Sequence, residues 1–240
     1  MDDSSKPTPD PSLARLEEVV CEALAQAKGA QPWDENLLPR DERHEAIHEL
    51  AKQIGPRYAA TTLGNYEIYD SRQTVMIERI KRFAEEMPTH LRGGSGLMLF
   101  GRPGTGKDHM MAALLKLAIA RHRLRVTWYD GGDLLDDIAD AITTDRWREF
   151  RRCLWAPHVL AISDPVPARG EFTQSQLRRL RDLIDRRYRL GVSTWITTNI
   201  DRQADAESAL TEPVLDRLRE GAVQLFFDWE SHRPRIKTSW

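Results

Sequence analysis

Residues 97–120 read LMLFGRPGTGKDHMMAALLKLAIA. The opening LMLF is a short apolar run that suits a buried strand. A glycine-rich turn follows, and from Lys107 onward the apolar spacing is that of a helix. The turn Gly101-Arg102-Pro103-Gly104-Thr105-Gly106-Lys107 fits the pattern GxxxxGK. Its glycines allow successive backbone N–H groups to converge on phosphate oxygens, and the helix start adds a positive end. Lys107 supplies a point charge to the outer phosphates, and the cradle runs on into Asp108 and His109. A chance glycine turn would lack the strand before it and the helix after it. These residues predict a nucleoside triphosphate with Mg²⁺ as the ligand.

Position 108 departs from the pattern. A Ser or Thr hydroxyl is expected there to meet Mg²⁺, and the chain has Asp108. The matching acidic residue should end a second buried strand, here HVLAISDPVP, residues 158–167. Two registers are open. In one, Ser163 takes the metal-side position and Asp164 the catalytic one, so hydroxyl and carboxylate have changed places between the two elements. Asp108 and Ser163 should then touch, and Asp108, Ser163 and Asp164 form the metal set. In the other, Asp164 is the metal-side acid and Pro165 stands where the catalytic acid belongs, which would leave hydrolysis feeble.

The rest of the chain fits a soluble globular protein: 240 residues, 40% hydrophobic, 30% charged, formal net charge −2. That charge gives no global basic field, although arginines cluster at 146–152 and 178–189. The second cluster alternates with apolar residues and reads as a solvated helix face or a subunit interface. The two cysteines, Cys21 and Cys153, have no zinc-type spacing and point to reduced thiols. The start, MDDSSKPTPDPS, is unlike a signal peptide, no run is long enough for a membrane span, and a cytoplasmic protein is expected.

Three segments are expected: a disordered tail at 1–11, a helical partner-binding segment at 12–56, and the main domain at 57–240. The second should hold one helix from Ser12 to about Gly29 and another over Arg40–Ile54. Within the main domain, helices are predicted at 73–86, 108–121, 134–143, 146–154, 174–190 and 212–220. Strands are predicted at 96–100, 125–129, 159–162, 193–198 and 222–227. This alternation predicts an α/β fold, a parallel sheet flanked by helices.

Three stretches carry a family resemblance: GRPGTGKDHMMAALL, TWITTN, and LTEPVLDRLREGAVQLFFDWESHRPR. With IGPRYAATTLGNYEIYDSRQ they resemble the DnaC/IstB family of AAA+ P-loop NTPases over about residues 54–236. That family includes replicative-helicase loaders and ATPases that assist transposases. The resemblance implies that Asn199 is the sensor amide and that Arg217 reaches into a neighbouring subunit's site, with Arg219 as the alternative. It implies that Arg233 closes the site, that Tyr66 lies near the adenine, and that the active form is an oligomer. A single-stranded DNA grip would fall on Arg146, Arg148, Arg151 and Arg152, interleaved with Trp147, Phe150 and Trp155. The aromatics at that spacing equally fit a helix face packed in the core. The implied role is a helicase loader that binds a replicative DNA helicase. A transposase-assisting ATPase, or a nucleotide-binding adaptor with little turnover, remains open at this point.

Overall fold

The computed structural model describes residues 37–166, 172–200 and 203–233. The expected tail at 1–11 and the helix from Ser12 lie outside the described residues. The elements are α1 (Arg43–Ile54), α2 (Pro56–Ala59), α3 (Ser71–Arg92), β1 (Leu97–Gly101), α4 (Lys107–His122), β2 (Val126–Asp130) and α5 (Gly131–Thr143). After these come α6 (Trp147–Trp155), β3 (Val159–Ser163), α7 (Gln174–Leu190), β4 (Ser193–Thr198), α8 (Gln203–Leu210), α9 (Glu212–Arg219) and β5 (Val223–Phe227).

The five strands form one parallel sheet in the order β2-β3-β4-β1-β5. β1, β3 and β4 are buried along their whole length. Helices cover both faces, so these strands carry near-continuous apolar runs instead of alternation. One face packs Met98, Phe100, Leu160, Ile162 and Ile196 against the apolar stripes of α5, α6, α7, α8 and α9. From β1 the chain crosses to β2 at the far edge, whereas β4 leads to β5 on the opposite side. The crevice beyond the carboxyl ends of β1 and β4 is therefore the place where an open α/β sheet takes a ligand.

Helix α3 is longer than the sequence pattern predicts, and both ends have a cause. Asp70 and Gln73 form a reciprocal capping box at its start. Pro88 lies inside the helix, and the Ala84 carbonyl that it leaves without an amide donor bonds to His122. The four-residue α2 and the helix α8 have no strong periodic signal and are additions to the predicted set.

Helix α1 packs on α4 and β2. Arg43 donates to the Ala120 carbonyl at 3.0 Å, and Leu50 and Ile54 are buried. Gln53 accepts the Trp128 N–H at 2.9 Å, so a side chain occupies a donor on the open edge of β2. On the other edge Arg79 donates to the Gln224 carbonyl of β5 at 3.1 Å.

The arginine-rich helix α7 is not the uniformly solvated face that its sequence suggests. Arg187 is 0% exposed. Its guanidinium donates to Thr194 Oγ1 at 3.0 Å and to the carbonyls of Leu154 (2.6 Å), Pro157 (3.2 Å) and Ser193 (2.5 Å). Burial pushes it down to about 9, so it stays charged at neutral pH. The planar five-donor fork joins α7 to the end of α6 and the start of β4 in one contact. Arg187→Met should remove those donors, leave the carbonyls unpaired, and destabilise the fold by roughly 3–5 kcal/mol. Thermal unfolding followed by circular dichroism checks this: Tm should fall by about 10 °C.

Candidate functional site

The turn after β1 sits at the carboxyl edge of the sheet and is anchored from outside. The Gly104 carbonyl accepts the His232 N–H at 2.8 Å. The Thr105 carbonyl accepts Tyr66 Oη and Trp229 Nε1, each at 3.0 Å. In a trans peptide the following N–H points opposite to its carbonyl. Anchoring these two carbonyls therefore turns the Thr105 and Gly106 amides the other way, as a site for anionic oxygens requires. Gly106 has φ +98°, and a Cβ there would lie 2.6 Å from Tyr66 Cε2, so the backbone and the Tyr66 ring both demand glycine.

Lys107, the first residue of α4, is 5% exposed. Its ammonium donates to the carbonyls of Gly101 (2.7 Å) and Arg102 (2.8 Å) and to Asn199 Oδ1 (3.0 Å). Burial pulls its pKa down to about 8. Asn199 continues the chain of contacts. Its side-chain amide donates to Asp164 Oδ2, and its backbone N–H to Asp164 Oδ1 at 3.2 Å. Asp164 follows β3 with φ +47°, a left-handed turn that Asp tolerates. The turn fits because Gly131 has no side chain: a Cβ there would lie 2.1 Å from Pro165 Cα. Burial raises the Asp164 carboxyl, against the opposing pull of the Asn199 bonds and the Lys107 charge.

Asp108 points the other way along α4. Its Oδ1 accepts Ser163 Oγ at 3.0 Å and Thr197 Oγ1 at 2.8 Å. Ser163 and Thr197 are register partners across β3 and β4, 7% and 1% exposed. The contact expected between Asp108 and Ser163 is present, and Thr197 is the member that sequence reading missed. It lies on β4 two residues before Asn199, which directly follows the strand, and that two-residue spacing was the available signal.

Of these groups Lys107, Asp108 and Asn199 open into a cleft of about 280 Å³, and Ser163, Asp164 and Thr197 stand behind them. Gly104 through His109 line one side, Tyr58, Thr61 and Tyr66 another, and Asn199 and Arg233 complete it. Arg233 is near enough for its charge to act on Lys107 and Tyr58. Burial raises the Tyr66 phenol and lowers the His109 imidazole. Inward amides, a buried ammonium and a cleft of this size fit a polyphosphate. The oxygen-only set of Asp108, Ser163, Thr197 and Asp164 fits a hard cation. Among the described residues no three or more His, Cys, Asp or Glu side chains gather as a metal cage. Hydroxyls and carboxylates of this kind suit a partly hydrated hard cation such as Mg²⁺.

The other predicted residues lie elsewhere. Arg217 on α9 is ion-paired with Asp185 of α7 at 2.6 Å and donates to the Pro213 carbonyl. It does not line its own chain's cleft. Arg219 is two residues further along. Arg146 and, on α6, Arg148 and Arg152 are exposed, while Arg151 lies 5.0 Å over the Trp155 ring. Trp147, Phe150 and Trp155 pack against the core. No helix among the described residues is long and apolar enough to cross a membrane.

The IstB-like ATP binding protein family matches residues 34–239. The replicative helicase loader DnaC of Buchnera aphidicola subsp. Acyrthosiphon pisum (strain APS) is 27% identical over 185 residues, 75% of this chain and 72% of its own. The Escherichia coli (strain K12) replicative helicase loader DnaC is 24% identical over 221 residues, 90% of this chain and 87% of its own. A crystal structure of the DnaC helicase loader superposes with a TM-score of 0.66 at 26% identity, covering 72% of this chain and 99% of that one. The replication initiator DnaA bound to AMPPCP and single-stranded DNA shares the fold, with a TM-score of 0.58 at 18% identity, over 74% of this chain and 51% of that one.

The buried Lys107 sets a pH dependence for phosphate binding. Below about 8 the ammonium is charged and attracts phosphate; above it, binding must first take up a proton. The Kd for ADP should hold steady near pH 7 and weaken above pH 8 by up to roughly tenfold per pH unit. Lys107→Arg should flatten the profile, and isothermal titration across pH 7–10 reads both. A flat wild-type profile would count against the depressed ammonium.

Proposed function

This chain belongs to the IstB-like ATP binding protein family, and from that premise we propose that it is a helicase loader. In this reading it binds ATP, hydrolyses it slowly, and delivers a replicative DNA helicase onto single-stranded DNA. The observation that carries it is the convergence of Lys107, Asn199, Asp164 and Asp108 at the carboxyl ends of β1, β3 and β4. The chain around that site aligns with known loaders over most of its length and theirs.

Each group then has a task. The Thr105 and Gly106 amides and Lys107 hold the phosphates, with Arg233 closing the cleft. Asp108 Oδ2, left over from the two hydroxyl bonds on Oδ1, would hold Mg²⁺ together with the Ser163 and Thr197 oxygens, and the ion would offset phosphate charge. MgATP supplies the phosphoanhydride bond to be broken. Asp164, made more basic by burial and aimed by Asn199, accepts the proton of the attacking water. Arg217 from a neighbouring copy stabilises the charge that develops on the transferred group, exchanging Asp185 for phosphate. Tyr66 acts from outside the turn, through the Thr105 carbonyl, and His109 through the wall described below.

Arg146, Arg148, Arg151 and Arg152 contact the DNA backbone. Because their aromatic neighbours pack inward, binding is sequence-tolerant and rests on charge more than stacking. The exposure of three of the four favours this role. The chain up to residue 56 contributes the helicase contact.

Hydrolysis assays on Asp108→Thr, Ser163→Asp and the double variant test the exchanged metal pair. Each single change should lower turnover at least tenfold, and the double change should recover most of it; no recovery sinks the pairing. Arg217→Ala should keep ATP affinity within about threefold while losing DNA-stimulated turnover. Loading is read by co-elution with a purified replicative helicase in ATP and by unwinding of a coated single-stranded circle. Capture of a transposase instead would make the chain a transposition helper.

A further inference from the structure

Helix α4 carries more than the cradle. Lys116 stands three turns into it, half-buried, and is absent from the polar set at the sheet edge. Its ammonium donates to the carbonyls of Tyr58 (2.8 Å), Ala59 (2.7 Å) and Thr61 (2.9 Å), with Thr61 Oγ1 at 3.2 Å. Thr61 is 6% exposed and returns its own hydroxyl to the Tyr58 carbonyl at 2.8 Å. Seven residues earlier, on the same face of α4, His109 Nε2 lies 3.0 Å from the Thr62 carbonyl. A carbonyl only accepts, so Nε2 carries the proton. Asn65 closes the far side by accepting the Thr62 N–H (2.7 Å) and donating to the Ala60 carbonyl (2.9 Å).

The segment 58–62 is the end of the short α2 and the turn that follows it. It is hung on the helix whose first residue holds the phosphates. It also forms the wall of the cleft across from the cradle, through Tyr58 and Thr61, with Arg57 beside them. The phosphate end of a nucleotide meets Gly104–Lys107, so the opposite wall is left for the nucleoside.

We propose that Lys116 is a positioning residue for nucleoside recognition: it fixes the 58–61 wall at the distance from the cradle that a base and sugar need. This deepens the nucleotide reading above and rests on it. Lys116 does not line the cleft. Its removal should therefore cost the affinity that the nucleoside adds and spare the affinity that the polyphosphate supplies.

Isothermal titration of the full chain with ATP and with inorganic tripolyphosphate, each with Mg²⁺, tests it. The wild type should bind ATP more tightly than tripolyphosphate. Lys116→Met should weaken ATP at least tenfold and leave tripolyphosphate within twofold, and Lys116→Arg should recover part of the ATP advantage. Equal losses for both ligands, or no loss for either, would overturn the assignment. Should Lys116→Met fail to fold, Lys116→Gln, which keeps two N–H donors, is read by the same ratio. Wild-type binding of tripolyphosphate with no preference for ATP defeats this inference alone. Binding of neither ligand removes the nucleotide reading and this inference together.

Discussion

The ammonium of Lys107 is the contact on which the site depends. It lies under the turn, holds carbonyls at both Gly101 and Arg102, and reaches Asn199 at the end of the neighbouring strand. One cation thus ties the carboxyl ends of β1 and β4 together, and Asn199 passes the tie to Asp164 after β3. Three strands are brought to one point by side chains that come from three separate stretches of chain. Removing the cation would take its donor from the Gly101 carbonyl and from Asn199 Oδ1, while the Arg102 carbonyl would keep the Thr105 hydroxyl at 2.8 Å; each buried polar group left unpaired costs about 1–3 kcal/mol.

A common device recurs through the domain. Lys107, Lys116 and Arg187 are all held chiefly by backbone carbonyls. A carbonyl satisfies a donor without cancelling its charge, whereas a carboxylate would do both. At Lys107 that difference leaves a positive charge uncancelled at the floor of the cleft. At Arg187 it is architectural, because several chain ends are gathered where no free carboxylate is at hand. Asp108 is the mirror case, a carboxylate held by two neutral hydroxyls.

Much of this was legible in the residues. The strand–turn–helix at 97–120 announced the cradle, and every predicted strand is in the sheet within about a residue of its observed bounds. The register after β3 was readable only as two alternatives, and the contact between Asp108 and Ser163 is the one that the first of them expects. Thr197 was hidden because a Thr in a buried strand has an ordinary β propensity and no motif marks it. Arg187 was hidden for a different reason. Its neighbours Arg186 and Arg189 are chemically alike, and only the turn of the helix separates an inward guanidinium from outward ones. Lys116 belongs to the same class: its partners are carbonyls, and carbonyls leave no trace in sequence.

The two margins of the sheet are both stoppered, by Gln53 on β2 and Arg79 on β5. Strand-to-strand recruitment between molecules is thereby discouraged along either rim. Helix and loop surfaces are then better placed to join copies, and their fit can be made to depend on what lies in the cleft. Backbone ladders, once zipped, would be indifferent to it.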